Sequence, residues 1–201
     1  MEAYNIPAAV RVLPEFIDLL SRWYIRRSRQ RFADGDVQAL ATLHYVLIEF
    51  TKICSPITPF LSEEIFLNLK TDDTESVHLA DLANYDDKFL NSQKSLLEQM
   101  AIVRTVSTLG QSLRVQNSLK VRQPLSEVVV TLDKKTSPNQ EDLDWMTEII
   151  KDELNVKKVT FSSKKPSGKE WLTTEDELTV SLNSEITPEL QEEGLLRELT
   201  R

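Results

Sequence analysis

The residues with the clearest chemical potential lie in segment 20–32, which reads LSRWYIRRSRQRF. It holds five arginines and no acidic residue, in a chain whose formal net charge is −8. It also holds two large aromatic side chains, Trp23 and Tyr24. Guanidinium groups bind phosphates and carboxylates, and aromatic rings stack on unpaired bases. The segment therefore predicts a surface that binds an anion.

The arginines divide into two sets when the segment is placed on one helix, as the upstream apolar spacing predicts. At 100° per residue, Arg22, Arg26 and Arg29 fall within an arc of about 60°. Like charges at this spacing repel by a few tenths of a kcal/mol per pair unless an anionic partner relieves them. We interpret this set as a candidate footprint on a nucleic-acid backbone or an acidic protein surface.

Arg27 and Arg31 continue the apolar stripe of the same helix. An arginine beside an apolar seam packs its stem on the core and pairs its head with a carboxylate. Glu63 and Glu64, early in a later helix, are the candidate partners. These four residues are therefore predicted to form structural ion pairs.

No segment carries a recognisable catalytic or metal-binding pattern. The four glycines are too scattered for a phosphate-cradling loop, and no G-x-S-x-G is present. His44 and His78 lack a cysteine or second histidine at ligand spacing. The paired aspartates of 70–87 are interpreted as a solvated connection. We expect no catalytic residue and no metal site.

The composition is that of an ordinary soluble globular protein, with 40% apolar and 28% charged residues. The single cysteine, Cys54, excludes an internal disulfide and lies on an apolar helical stripe. No apolar run reaches the length needed to span a bilayer, and no signal peptide is evident. We therefore expect a cytoplasmic protein without membrane contact.

The apolar periodicity changes once along the chain. Four predicted helices, which end near 32, 54, 69 and 115, favour an antiparallel bundle over 1–117. The third connection is predicted to contain at most a short extended piece at 77–79. Beyond it, strands are predicted at 128–132, 156–161 and 178–182, with helices at 143–154 and from 187 onward. The predicted fold is mainly α: a helical bundle followed by a small α+β subdomain, 118–201. The helical pattern still running at residue 201 suggests a piece of something longer.

Five ordered stretches together resemble the C-terminal part of isoleucyl-tRNA synthetase, a class I aminoacyl-tRNA synthetase. They are 20–32, SPITPFLSEEIF at 55–66, SLKVRQPLSEVVV at 118–130, ELNVKKVTF at 153–161 and EGLLRELTR at 193–201. One departure is Ala33, where the family usually has an aromatic residue. The family's catalytic signatures H-x-G-H and K-M-S-K-S are absent from this sequence.

The resemblance implies a parent enzyme that joins isoleucine to its tRNA using ATP and Mg²⁺. This chain would be its anticodon-binding region, covalently joined to catalytic and editing domains, and inactive as a ligase alone. Arg22, Arg26 and Arg29 would contact tRNA phosphates, and Trp23 would either stack on RNA or pack within the protein. Lys120, Arg122 and Gln123 form a second candidate contact, although Pro124 beside them is also typical of a structural turn.

An alternative is an independent helical interaction module whose basic helix docks an acidic protein partner. The two hypotheses differ in whether Arg22, Arg26 and Arg29 prefer RNA phosphates or an acidic protein surface. Each phosphate contact contributes about −0.7 to −0.9 to the slope of log affinity against log salt concentration, which we call the salt slope.

Overall fold

The computed structural model describes residues 5–82, 86–132, 138, 140–175 and 178–199. The chain divides into two compact units, 1–85 and 86–201. The predicted fold class, mainly helical with a small α+β part, is confirmed. The predicted domain boundary after residue 117 falls inside the second unit, because the helix preceding it packs on the C-terminal sheet. A functional boundary at that position stays a prediction.

The first unit is built from helices. They are α1 (Ile6–Leu19), α2 (Arg29–Ala33), α3 (Val37–Cys54) and α4 (Pro59–Leu69), followed by a 3₁₀ turn, Val77–Leu79. The Asp36 carboxylate caps α3 by accepting from the amides of Gln38 and Ala39. Gly35 has φ +73°, the left-handed conformation that lets the chain leave α2 and enter this cap.

The core of the first unit lies between α3 and α4. Phe66 is 2% exposed and Cys54 is also buried, and burial raises the pKa of the Cys54 thiol. Val77 is buried too, which folds the connection after α4 back onto this core. The short extended piece predicted at 77–79 is wrong, because the Ser76 hydroxyl caps a 3₁₀ turn there.

The second unit is a four-stranded mixed sheet with helices. Its elements are α5 (Asp87–Gln116), β1 (Leu125–Thr131), α6 (Gln140–Leu154), β2 (Val156–Ser162), β3 (Trp171–Glu175), β4 (Thr179–Asn183) and α7 (Pro188–Leu199). The strand order is β2-β1-β4-β3; β1 pairs with β2 in parallel and with β4 antiparallel. The strand β3, which pairs antiparallel with β4, was not predicted.

Helices α5 and α6 pack on the sheet and on each other. The fully buried side chains include Val103 and Val106 of α5, Met146, Ile150 and Leu154 of α6, and Val128, Val130, Val180 and Leu182 of the strands. Gly110 lets the two helices approach, since a Cβ there would lie 2.6 Å from both methyl carbons of Leu154. This packing places the end of α6 against the chain leaving α5.

Candidate nucleic-acid interface

The arginine-rich segment is a distorted helix. α1 continues into a π-helical segment, Leu20–Ile25, and a turn at Ser28 separates it from α2. Ser21 Oγ donates to the Ile17 carbonyl at 2.7 Å, and the Arg26 amide donates to the Ser21 carbonyl five residues back. The prediction of one regular helix is wrong here, and the arc of about 60° calculated for it does not apply.

Aromatic side chains fasten this distorted segment to α3. Tyr24 Oη donates to the Ala39 carbonyl at 2.9 Å, and its ring meets Phe32 edge-on. Phe16 stacks on Phe50 of α3 with the ring centroids 4.9 Å apart. These contacts fix the segment that carries the predicted phosphate-binding arginines.

Arg22, Trp23, Arg26 and Arg29, which we call the arginine surface, lie on this segment and on the first residue of α2. The Arg22 side chain is 77% exposed and pairs with Asp18 at 2.6 Å. Arg26 Nε donates to the Arg22 carbonyl, and its guanidinium lies 6.0 Å from the centroid of the Trp23 ring. Arg29 is exposed, whereas Trp23 is half-buried. Stacking of Trp23 on RNA stays a prediction.

The structure pairs Arg31 with a residue other than the predicted Glu63 or Glu64. Arg31 Nε lies 2.8 Å from Asp36 Oδ2, and this bond holds the pKa of the Asp36 carboxyl below its usual value. The left-handed turn at Gly35 brings the cap of α3 within reach of Arg31. Arg31 therefore links α2 to the start of α3.

Glu63 has a structural role of a different kind from the predicted one. Its Oε2 accepts from the Ser76 hydroxyl at 3.0 Å and from the Val77 amide at 2.8 Å. Glu64 accepts from Asn68 one helical turn on. Arg27 is half-buried, and its pairing with these carboxylates stays a prediction.

The second predicted contact lies in the segment 118–124 between α5 and β1, which we call the junction loop. A buried arginine of α5, Arg114, organises it. Arg114 Nη1 donates to the carbonyls of Lys120 and Gln123, at 2.9 and 3.0 Å. Its Nη2 donates to the carbonyls of Leu154 and Asn155, at 2.6 and 3.1 Å. Burial lowers the pKa of Arg114 to about 10, so the guanidinium is still charged at neutral pH.

Asn155, which directly follows α6, completes the support of the junction loop. It has φ +48°, a conformation that asparagine tolerates better than most residues. Its Nδ2 donates to the carbonyls of Val121 and Arg122, and its Oδ1 accepts from Arg197 Nη1 at 2.6 Å. One residue thus connects α6, the junction loop and α7.

The three predicted residues of the junction loop have different surroundings. Gln123 Nε2 donates to the Leu190 carbonyl at 2.6 Å, and a Cβ at Gly194 would collide with Gln123 Oε1. Lys120 Nζ lies 2.8 Å from Glu198 Oε1 and is largely exposed. The Arg122 side chain is exposed and forms no hydrogen bond or ion pair with any described residue. Arg122 therefore offers the loop's donors that no described residue occupies, and Gln123 fastens the loop to α7.

The residues that sequence reasoning missed are Arg114, Asn155 and Arg197. Arg114 follows the buried Leu113 in a run of apolar positions, and a charge beside such a stripe indicates a buried polar contact. Asn155 lies at a left-handed position between a helix and a strand, which is typical of asparagine. Neither signal identifies the partner.

The described residues contain no group of three histidine, cysteine or acidic side chains arranged to hold a metal ion. Over the same parts of the chain, no helix combines the length and the hydropathy needed to cross a lipid bilayer.

Comparison with known proteins gives consistent results. A family model described as the anticodon-binding domain of tRNA ligase matches residues 1–130. An isoleucine–tRNA ligase of Protochlamydia amoebophila is 42% identical over 172 residues, covering 81% of this chain. One from Treponema denticola is 42% identical over 171 residues, or 82% of the chain. Isoleucine–tRNA ligase 2 of Bacillus cereus is 40% identical over 164 residues, or 78%.

These matches confirm the resemblance that the five motifs predicted. The matched regions are only 15–16% of the length of the three relatives. The family model covers the arginine surface and the junction loop and ends within β1. The chain therefore belongs to the family of anticodon-binding domains of tRNA ligases.

Proposed function

We propose that this chain binds and positions the anticodon arm of an isoleucine-accepting tRNA as part of a larger isoleucine–tRNA ligase. The observation that carries the proposal is the match of residues 1–130 to an anticodon-binding domain, together with 40–42% identity to isoleucine–tRNA ligases. The exposed cations of the arginine surface and of the junction loop support it.

The arginine surface supplies the first proposed contact. Arg22 and Arg29 present exposed guanidinium groups, and the ion pair of Arg22 with the exposed Asp18 is weak enough for a phosphate to replace. Contacts of this kind orient an RNA without reading its sequence. Arg26 and Trp23 lie together, so a base stacked on the exposed part of Trp23 would also meet a cation.

The junction loop supplies the second proposed contact. Arg122 and Lys120 extend from a backbone that Arg114 and Asn155 already hold in place. Binding RNA through them therefore costs little backbone conformational entropy. Gln123 supports them by fixing the loop to α7. In this assignment Arg122 is the residue with donors suited to a base edge or a phosphate.

The remaining steps of the ligase reaction are assigned to other parts of the larger enzyme. We place the ATP and Mg²⁺ that such a ligase uses, and its catalytic and editing domains, outside this chain. The chain would hold the anticodon arm while the catalytic domain acts on the acceptor end. The proposed location of the enzyme is the cytoplasm.

The proposal is tested with a fluorescent anticodon stem-loop RNA titrated into the chain at several salt concentrations. We expect the combined change of Arg22, Arg26 and Arg29 to alanine to reduce the salt slope by about 0.7–0.9 for each phosphate that the variant no longer binds. Arg11→Ala, an exposed arginine of α1 outside the motif, is the matched control. Unchanged affinity of the triple variant, with its helical circular dichroism intact, would contradict the assignment.

A further inference from the structure

A concave cleft of about 400 Å³ lies beside the junction loop, within the second unit. The end of α6, the start of β2 and Arg197 of α7 form its walls. Four cationic side chains line it, against two acidic ones; the cations are Arg122, Lys151, Lys157 and Arg197, and the acids are Asp152 and Glu153. A cationic excess here contrasts with the net charge of −8 of the whole chain.

Two of the cations share one carboxylate. Glu193 Oε1 accepts from Lys157 Nζ and from Arg197 Nη2, each at 2.7 Å. These cations hold the pKa of the Glu193 carboxyl below its usual value, with Lys157 as the stronger influence. Glu193 is itself half-buried and belongs to α7, outside the lining of the cleft. A ligand anion would therefore compete with Glu193 for Lys157 and Arg197.

The backbone of the junction loop is polarised in the same sense. The carbonyls of all four residues 120–123 accept hydrogen bonds from Arg114 or Asn155. In a trans peptide the following N–H points away from the carbonyl, so the amides of Val121 and Arg122 face away from those two side chains. Neither amide donates to any described residue. Because Asn155 lines the cleft, its amide group occupies the carbonyl oxygens of Val121 and Arg122 at the cleft wall, which reduces their repulsion of an anion.

We propose that this cleft binds the phosphodiester backbone of RNA, with Arg122 and Lys157 as phosphate contacts and Glu193 as the carboxylate that the phosphate displaces. The inference rests on the proposed function for its ligand and adds a contact site beyond the predicted Lys120, Arg122 and Gln123. Lys151 and Arg197 extend the cationic lining, which suits consecutive phosphates rather than a single one.

The first test measures binding of the anticodon stem-loop RNA by the full 201-residue chain as a function of salt. The double change Arg122→Gln and Lys157→Gln should weaken binding several-fold and lower the salt slope by about 1.4–1.8, the share of two contacts. Glu193→Gln should tighten binding, because it removes the competing charge. The matched control is Lys164→Gln with Lys169→Gln, two exposed lysines outside the cleft.

The second test uses inorganic pyrophosphate as the probe and the amide NMR signals of Val121 and Arg122 as the readout. Saturable shifts that the double variant abolishes, with its other signals unchanged, are expected. Unshifted amide signals together with an unchanged salt slope in the double variant would refute phosphate binding by the cleft. The proposed RNA binding through the arginine surface would not be affected by that result. Pyrophosphate shifts without any RNA binding by the unmodified chain would overturn the proposed function and retain only an anion site.

Discussion

Arg114 gives the sharpest prediction for the stability of the second unit. Arg114→Met removes all four hydrogen bonds to the junction loop and the end of α6. Lys120 O still accepts from the Gln123 amide, and Asn155 O still accepts from the Leu125 amide. The substitution therefore removes the described hydrogen-bond donor of two carbonyls, those of Gln123 and Leu154.

These two carbonyls, left without a donor, determine how much the free energy of unfolding of the second unit falls. An unsatisfied buried acceptor costs about 1–3 kcal/mol, and because Gln123 is only half-buried, about 6 kcal/mol is the upper limit for the pair. Removing the charge also removes its cost of burial, which offsets part of this destabilisation. We expect the free energy of unfolding of the second unit to fall by about 2–4 kcal/mol. Arg114→Lys, which keeps a charge but has fewer donors in a different geometry, should destabilise the unit less.

Hydrogen exchange of the β1–β2 amides measures this unit separately from the first one. The expected destabilisation corresponds to exchange about 30- to 900-fold faster in Arg114→Met. Arg104→Met is the control, because Arg104 is half-buried on the same helix and its side chain forms no hydrogen bond or ion pair with any described residue. Equal exchange rates in the two variants would refute the view that Arg114 holds the loop.

Three further perturbations have defined outcomes. Glu63→Ala should destabilise the first unit by about 1–2 kcal/mol by leaving the Val77 amide without its acceptor; equal Val77 amide exchange would contradict this. Gly110→Ala should cost about 1 kcal/mol in urea unfolding, because the collision with Leu154 outweighs the gain in helix propensity; a more stable variant would show that α6 can shift. Because pairing lowers the pKa of Glu193 in the folded state, the pairing should stabilise α7 above pH 4.5, and this stability should be lost as the pH falls through the lowered pKa. Rates of α7 amide exchange that show no such loss over this pH range would contradict the pairing.

Local signals predicted the elements whose limits depend on a few neighbouring residues. The helix ends predicted near 32, 54, 69 and 115 are observed at residues 33, 54, 69 and 116. Local chemistry also marks the helix starts, since Asp36 caps α3 and Pro59 opens α4. Thr58 occupies the cap position of α4, although its hydroxyl contacts Cys54 and Ser62 instead of an α4 amide. Cap and proline signals identify a helix start well because their chemistry is local.

The features that sequence reasoning missed depend on distant partners. The π-helical segment is fastened by Tyr24 to Ala39, a contact across 15 residues. Strand β3 is short and lies at the edge of the sheet, where its only described strand partner is β4. Arg114 binds carbonyls as many as 41 residues away. No spacing rule applied to one segment contains this information.

The candidate site was predictable in part for the same reason. The arginine surface was found because its charges are contiguous in the sequence. The cleft was missed because its cations come from the junction loop, α6, β2 and α7 and meet only after folding.

The most direct test of the central claim is a titration of isoleucine tRNA into this chain at several salt concentrations, with a non-cognate tRNA as the control. We predict saturable binding that weakens steeply with salt and prefers the isoleucine tRNA. Absence of binding at low salt, or equal affinity for both tRNAs, would contradict the claim that this chain recognises the anticodon arm.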